Sequence, residues 1–552
     1  MDIHTLEKLD KKAHKSSQGD FVKMGMAITF MVAVLWYAFG AENVTNNAFL
    51  AIAAVFGAYM ALNIGANDVA NNVGPAVGSK ALTMGGAIVI AGIFEASGAL
   101  IAGGDVVSTI KKGIIATQDP DTKEMLMTTQ QFIWAMTSAL LAGGLWLNIA
   151  TKVGAPVSTT HSIVGGVMGG GIAAAGFSIV SWSTMGKIAA SWVISPVLGA
   201  IIAAGFLFAI KKTILYKEDK LSAMRTMVPI YVAIMSFAFA TYLTLKGLKK
   251  IWPSIIDTAN SILPFAFEAA KKPSLMAALS IGLVTAIITY IVVKPLVASA
   301  SSKLTNSAKD ANSLFTIPLI FSAALLSFAH GANDVANAVG PLAAVADAVT
   351  NSGISAKAPI PLWVMLIGAI GISLGLALYG PKLIRTVGSE ITELNQIRAY
   401  AVAMAASITV IIASQLGLPV SSTHIAIGGI FGVGFLREFL STTSAQEKIE
   451  AEEAQLKEDK QVKKTHKMEL KELKALDLKD ETTKSRIKEL KILIEEEDAI
   501  IKSEKKHLKR AKKTKYVQRS AVMKIIAAWI ITVPAAAIIA AIVYNIIEGI
   551  MV

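Results

Sequence analysis

Apolar stretches long enough to cross a lipid bilayer recur along nearly the whole chain, and they limit its fold more than any other feature. About thirteen are legible, at 24–40, 46–64, 83–103, 130–149, 157–176, 184–210, 228–246, 276–298, 314–330, 361–380, 397–414, 420–436 and 521–548. A hydrocarbon core about 30 Å thick needs about 20 apolar residues per helix. Hydrophobic residues make up 54% of the chain, too many for an ordinary soluble protein. The expected fold is an all-α polytopic membrane protein of about 12–13 transmembrane helices, with the lipid bilayer of the cell (inner) membrane as its surroundings. The leader "MDIHTLEKLDKKAHKSSQGD" is too long and too acidic for a signal-peptide n-region, so the first apolar run is expected to stay. There are no cysteines, which excludes disulfides, thiol catalysis and thiolate metal sites.

A net charge of +13 suggests nucleic acid until its distribution is seen. Nearly half of all charged residues lie between Arg437 and Lys524, with 24 basic against 18 acidic. A mixed segment of this kind is not a nucleic-acid surface. Its apolar residues Leu456, Leu470, Leu473, Ile487, Leu490, Leu493, Ile501 and Leu508 fall near helical spacing, which predicts a soluble helical hairpin or short coiled coil over 437–520. Basic residues also orient the spans. Lys8, Lys11, Lys12, Lys15 and Lys23 precede the first run, and none follows it in "GAENVTNN". The N-terminus is therefore expected in the cytoplasm. Alternation then puts Lys80, Lys152, 211–220, Lys303, Lys382, Arg385 and the 437–520 insert inside, and the C-terminal tail outside. Lysines in the loops at 104–130 and 247–275 fall on the wrong side of this scheme.

Three pairs of segments recur in order. "GANDVANNVGP" at 65–75 returns as "GANDVANAVGP" at 331–341, 266 residues on. "GAPVSTTHSIVGGVMGG" at 154–170 returns as "GLPVSSTHIAIGGIFGV" at 417–433, and "SWVISP" at 191–196 as "AWIITVP" at 528–534. The last pair is offset by 74 residues more than the second, about the length of the charged segment, which is thus an insertion in the second copy. Seven spans separate the starts of the copies, and an odd number of crossings inverts one relative to the other. Inverted repeats with broken, re-entrant helices near the midplane are the signature of secondary transporters. The breaks are expected at "IGANDVANNVGPAVG", where Asn, Asp, Gly and Pro interrupt an apolar run, and at "GAPVSTTH". This divides the chain into 1–45, a leader with an extra helix; 46–210, repeat 1; 211–313, connecting helices and loops; 314–436, the first part of repeat 2; 437–520, the insert; and 521–552, the last helix of repeat 2.

The repeated motifs carry the chemistry. Asp68 and Asn71 stand at i and i+3 on one helix face, with Asn67 and Asn72 beside them, and Asp334, Asn337 and Asn333 repeat the pattern. Carboxylate, amide and freed backbone oxygens form a hard set suited to Na⁺, and the carboxylates can carry H⁺ instead. Helix capping would explain one copy, but not two ionisable copies in apolar surroundings. Pro156 precedes Ser158, Thr159 and Thr160; Pro419 precedes Ser421, Ser422 and Thr423. Hydroxyls among the unpaired N–H groups of a helix start make an anion site without Lys or Arg. An oxyanion beside aspartates repels them unless a cation or proton lies between, which is a physical reason for coupled symport. Phosphate near neutral pH still carries a proton that a carboxylate can accept; sulfate has none. His161 and His424 close the motifs. A Ser–His nucleophile is conceivable there, but no acid is near in sequence, and a structural, hydrogen-bonding histidine is expected. Glu95 is a further intramembrane carboxylate, expected in coupling or gating, and the repeat places Ile372 opposite it.

The paired "GANDVAN" and "PVS[TS]TH" motifs in two inverted halves resemble the inorganic phosphate transporter (PiT) family of cation-coupled phosphate symporters. The resemblance spans about 46–436 and 521–548. It implies cation and phosphate binding by Asp68, Asn71, Asp334 and Asn337, and phosphate or cation contacts by Ser158, Thr159, Thr160, Ser421, Ser422 and Thr423. With the flanking amides, the expected cation set is Asn67, Asp68, Asn72, Asn333, Asp334, Ser158 and Ser421. The chain departs from the family pattern in its extra N-terminal helix and its charged insert. The resulting expectation is a transporter, not an enzyme, importing phosphate with Na⁺ or H⁺ and needing no organic cofactor. Sulfate on the same scaffold is the alternative, with a membrane hydrolase at Ser158–His161 and a channel behind it. The oligomeric state is left open, with room for a homo-oligomer.

Overall fold

The computed structural model of the chain describes residues 3–40, 47–119, 122, 124–249, 251–262, 270–351, 353, 360–389, 394–475, 481–511 and 519–551. Among these no β-strand occurs, only isolated bridges such as Ile115–Val180. The chain divides into two compact units, residues 1–433 with 519–552, and residues 434–518.

In the first half of the larger unit the helices are α1 (Ile3–Phe39), α2 (Asn47–Asn67), α3 (Val69–Gly78), α4 (Met84–Ala102), α5 (Gly104–Lys112), α6 (Thr129–Val153), α7 (Thr159–Ala175) and α8 (Trp182–Ile210). Then come α9 (Lys220–Tyr242), α10 (Trp252–Ile262), α11 (Leu275–Ser301) and α12 (Ala308–Ser313). The second half holds α13 (Thr316–Thr350), α14 (Leu362–Tyr379), α15 (Pro381–Ser389), α16 (Gln396–Gln415), the start of α17 (Ser422–Lys474) and α19 (Arg519–Met551). The polar leader and the first apolar run are thus one helix.

Twelve helices among the described residues are long and apolar enough to span a membrane. The thirteenth apolar run, 157–176, becomes α7, whose 17 residues reach only about 25 Å. Its length is lost to an extended approach. Gly154 closes α6 in the left-handed conformation (φ 77°), and Ser158 is still extended (φ −86°, ψ 122°). Gly417 (φ 67°) does the same after α16. These turns are where the helices break. Of the two "GANDVAN" motifs read above as breaks, the first interrupts the helix at Asp68 alone, between α2 and α3, and the second does not interrupt it. Asp68 keeps helical angles (φ −82°, ψ −38°), and its N–H still donates to the Ile64 carbonyl at 2.8 Å. The second copy runs unbroken through α13. The reason is that every backbone group left unpaired at membrane depth is costly, and the motif's Asn and Asp side chains find partners without leaving the helix.

Glycine sets how closely the spans pack, and in both halves alike. A β-carbon on Gly65 of α2 would lie 1.8 Å from the Ile372 carbonyl oxygen of α14, and one on Gly98 of α4 would lie 2.0 Å from that of Phe328 in α13. Gly165 and Gly169 of α7 meet Val533 and Ala537 of α19, as Gly428 and Gly432 of α17 meet Pro196 and Ala200 of α8. Small residues let backbones approach where lipid supplies no hydrophobic drive between helices.

The smaller unit pairs the later part of α17 with α18 (Glu481–Ala511). Leu456, Leu490 and Ile501 are buried, and the contacts His466–Glu497 (2.8 Å), Arg486–Glu469 (2.9 Å) and Lys463–Asp498 make the two helices antiparallel. Leu508 lies outside the described side chains.

Gly98→Ala is expected to cost about 1–3 kcal/mol by overpacking, read as a lower melting temperature in detergent. Gly85→Ala, with nothing within 4 Å of its added carbon, is expected to leave the melt unchanged.

Candidate functional site

The two extended turns deliver the starts of α7 and α17 to one place. Ser158 caps α7 by accepting from the His161 N–H at 3.1 Å, and Ser421 caps α17 by accepting from the His424 N–H at 3.2 Å. Thr160 crosses between the halves, its hydroxyl donating to the Val420 carbonyl at 2.9 Å. Behind the turns the His161 and His424 rings meet edge to face at 4.4 Å, and each lies 3.7 Å from a tryptophan, Trp192 and Trp529. The histidines are packing elements. Ser158 is occupied with its cap, so a Ser158–His161 nucleophile has no geometry here.

Asp68 and Asp334 arrive from α2–α3 and α13. Thr159 Oγ1 donates to Asp68 Oδ2 at 2.6 Å and lies 3.3 Å from Asp334 Oδ2. Thr423 Oγ1 donates to Asp68 Oδ1 at 2.7 Å, and Ser422 Oγ to Asp334 Oδ2 at 3.3 Å. The amides cross over: Asn71 Nδ2 donates to Thr423 Oγ1 at 2.8 Å, and Asn337 Nδ2 to Thr159 and Thr160 at 3.0 and 3.2 Å. Eight side chains from both halves, all buried, thus form one polar cluster.

Asn67 and Asn333, expected as cation ligands, stand one step back and hold the turns. Asn67 Nδ2 donates to Thr151 Oγ1 (2.9 Å) and the Ala155 carbonyl (3.3 Å), while its Oδ1 accepts from Val157 N–H (3.2 Å). Asn333 Nδ2 reaches Ser414 Oγ (3.0 Å) and the Leu418 carbonyl (3.3 Å). Asn72 turns away to Glu95, donating to Oε1 at 2.7 Å. Glu95 Oε2 lies 2.7 Å from His330 Nδ1, whose Nε2 lies 3.1 Å from Asp334 Oδ2. The cluster therefore extends through Asp334 and His330 to Glu95 and Asn72.

His330 was not singled out from sequence. The signal was there: the residue before the first "GAND" is Ile64, and before the second it is His330. Gly331 packs on the Glu95 backbone as Gly65 packs on that of Ile372. One half thus has Ile64 and Ile372 at the positions where the other holds an acid–histidine pair.

The donor set suits a cation. In the cluster, Asp334 Oδ1 and the Oδ1 atoms of Asn71 and Asn337 are buried acceptors with no hydrogen-bond donor, as are those of Asn72 and Asn333 outside it. One ligand atom each of Asp68, His330 and Asp334 lies within 4.8 Å of the others. Buried oxygens without donors cost free energy unless a cation or a protonated ligand satisfies them. The free N–H groups at the starts of α7 and α17 offer the complementary anion contacts.

Replacing one member of the Glu95–His330 pair leaves a buried polar group without its partner, which is costly, whereas an apolar pair of similar shape is tolerated. Glu95→Ile and His330→Ile are each expected to lower the melting temperature. The double variant, copying Ile64 and Ile372, is expected to be more stable than either single one, with about 0.5–3 kcal/mol of coupling.

The comparisons with known proteins agree in one direction. Residues 64–540 match the model of the phosphate transporter family. A candidate phosphate permease of Helicobacter pylori strain J99 is 47% identical over 99% of this chain and 98% of its own length. One from Haemophilus influenzae is 39% identical over 70% of this chain and 87% of its own. Among solved structures, one described as the sodium-dependent phosphate transporter is 30% identical, covers 91% of this chain and all of its own, and superposes with a TM-score of 0.67. The chain belongs to the phosphate transporter family, as a multi-pass membrane protein of phosphate transport.

Proposed function

We propose that this protein imports inorganic phosphate across the cell membrane by symport with Na⁺, through alternating access between two inverted repeats. The observation that carries the reading is the single buried cluster in which Asp68 and Asp334 share Thr159 between two helix starts. Two carboxylates so close repel one another and any oxyanion in a low dielectric. Cation entry removes that repulsion, and phosphate then finds hydroxyls, amide N–H groups and two positive helix ends. The cation assembles the site; the anion completes it.

Asp68, Asn71, Asp334 and Asn337 serve both ligands in this reading, with Thr159, Thr160, Ser422 and Thr423 facing phosphate. Ser158 and Ser421 cap the helix starts, and Asn67 and Asn333 fix the turn carbonyls. Glu95 acts through His330, which makes the two halves electrostatically unequal. The hard oxygen set favours Na⁺ over a softer ion, as does the sodium dependence in the name of the solved relative. The repeats comprise 46–210 and 314–436 with 521–552, and the insert serves regulation or structure.

The side assignment has physical support. Lys382 Nζ donates to the Lys152 carbonyl at 2.7 Å, so two lysines assigned inside do share a face. Among those on the wrong side, Lys111 is buried in an ion pair with Asp347, and Lys249 lies 3.3 Å from Asp105. A paired lysine is a weaker topological signal than a free one.

In proteoliposomes, an imposed Na⁺ gradient is expected to accumulate phosphate, and excess sulfate not to compete. Accumulation driven only by a pH gradient would replace Na⁺ with H⁺, and uptake of sulfate in place of phosphate would overturn the reading. Asp68→Asn and Asp334→Asn are expected to abolish accumulation. Glu95→Gln, acting one shell out, is expected to lower apparent Na⁺ affinity roughly 10- to 100-fold, measured as the Na⁺ dependence of the initial uptake rate.

A further inference from the structure

Away from the cluster, one buried ion pair has no part in the scheme above. Lys111 Nζ lies 2.8 Å from Asp347 Oδ2, with side chains only 5% and 4% exposed, and Asn351 Nδ2 donates to the other carboxylate oxygen at 2.7 Å. An ion pair inside a membrane protein carries a large desolvation cost and marks function by default.

Lys111 lies in the last turn of α5, a helix of nine residues tied down along its whole length. Val106, Val107 and Ile110 are buried, and a β-carbon on Gly340 of α13 would lie 2.8 Å from Ile110. Helix α5 therefore lies on the part of α13 that follows the second "GAND" motif. At its start, Asp105 pairs with Lys246 and, at 3.3 Å, with Lys249. In its last turns, Thr109 Oγ1 donates to the Gly417 carbonyl at 2.8 Å. Gly417 is the left-handed residue that opens the second extended turn. The next carbonyls of that turn, Leu418 and Val420, accept from Asn333 and Thr160.

We propose that α5 is a latch over the second turn: the Lys111–Asp347 pair clamps it to α13, and Thr109 thereby holds the 417–423 turn in its ligand-binding shape. Lys111, Asp347 and Thr109 are positioning residues, and the proposal rests on that turn being part of the phosphate site. The pair is suited to a two-position contact because either charge left alone is expelled toward water, taking the helix with it. The other half has a related arrangement on its exposed side. There α15, 277 residues after α5, sends Lys382 to the carbonyl of Lys152, two residues before Gly154.

The chain has no cysteine, so one introduced thiol reports on the latch. Ala344, buried, lies between Gly340 and Asp347 on the α13 face that α5 covers. In an Ala344→Cys background, maleimide labelling and Na⁺-driven phosphate uptake are measured in proteoliposomes for K111M, D347N, K111M/D347N and the exchange K111D/D347K. Each single neutralisation is expected to speed labelling at least about tenfold and to raise the phosphate KM, with both paired variants returning toward the parent. T109V is expected to raise KM about three- to tenfold with labelling unchanged. Labelling within twofold of the parent in both single variants, or paired variants as open as the single ones, overturns the latch. A parent that accumulates no phosphate overturns the symport reading instead, and the labelling comparison still decides the latch.

Discussion

Two carboxylates at membrane depth, reaching for one hydroxyl, are the constraint around which the rest of this protein is arranged. Asp68 and Asp334 come from different halves of the chain, and Thr159 lies within hydrogen-bonding reach of both. Such a pair is tolerable in hydrocarbon only when surrounded by donors and compensated by a cation or a proton. The surroundings meet the first requirement through Thr423, Ser422 and the crossed amides of Asn71 and Asn337. In the function proposed above, the second is met by the transported cation.

The framework keeps that site in register by two devices. Glycines bring helix backbones into contact, so the spans behave as rigid pairs rather than as rods held by side chains. Left-handed Gly154 and Gly417 stop two helices short and send extended chain into the centre. An L-residue with a side chain is strained in that conformation, so each turn is held by its own backbone as well as by Asn67 or Asn333. Rigid pairs and stiff turns together leave few ways for the polar cluster to rearrange short of moving one half against the other.

The halves are alike but not equal. Where one has Ile64 and Ile372, the other buries His330 against Glu95 and carries the contact on to Asp334. The Asp334 side therefore has an ionisable partner in His330 that the Asp68 side lacks at the equivalent position, Ile64.

Hydropathy accumulates along the chain, so twelve of the thirteen apolar runs were legible as spans, and the repeated segments and motif residues could be read from the sequence directly. So was the helical hairpin, from apolar spacing at Leu456, Leu490 and Ile501. The roles within the motifs were not. Neighbours such as Asn71 and Asn72 look equivalent as letters, yet one donates to Thr423 and the other to Glu95. The "GAND" segments looked broken because of their composition, but their side chains found partners, so the first is interrupted only at Asp68 and the second stays closed. His330 was hidden because an isolated histidine ending an apolar run has no local signature; its partner Glu95 lies 235 residues away. Composition and periodicity are summed locally and survive in one dimension. A hydrogen bond or a buried charge pair depends on atoms delivered from distant segments, and only the tertiary structure decides which ones meet.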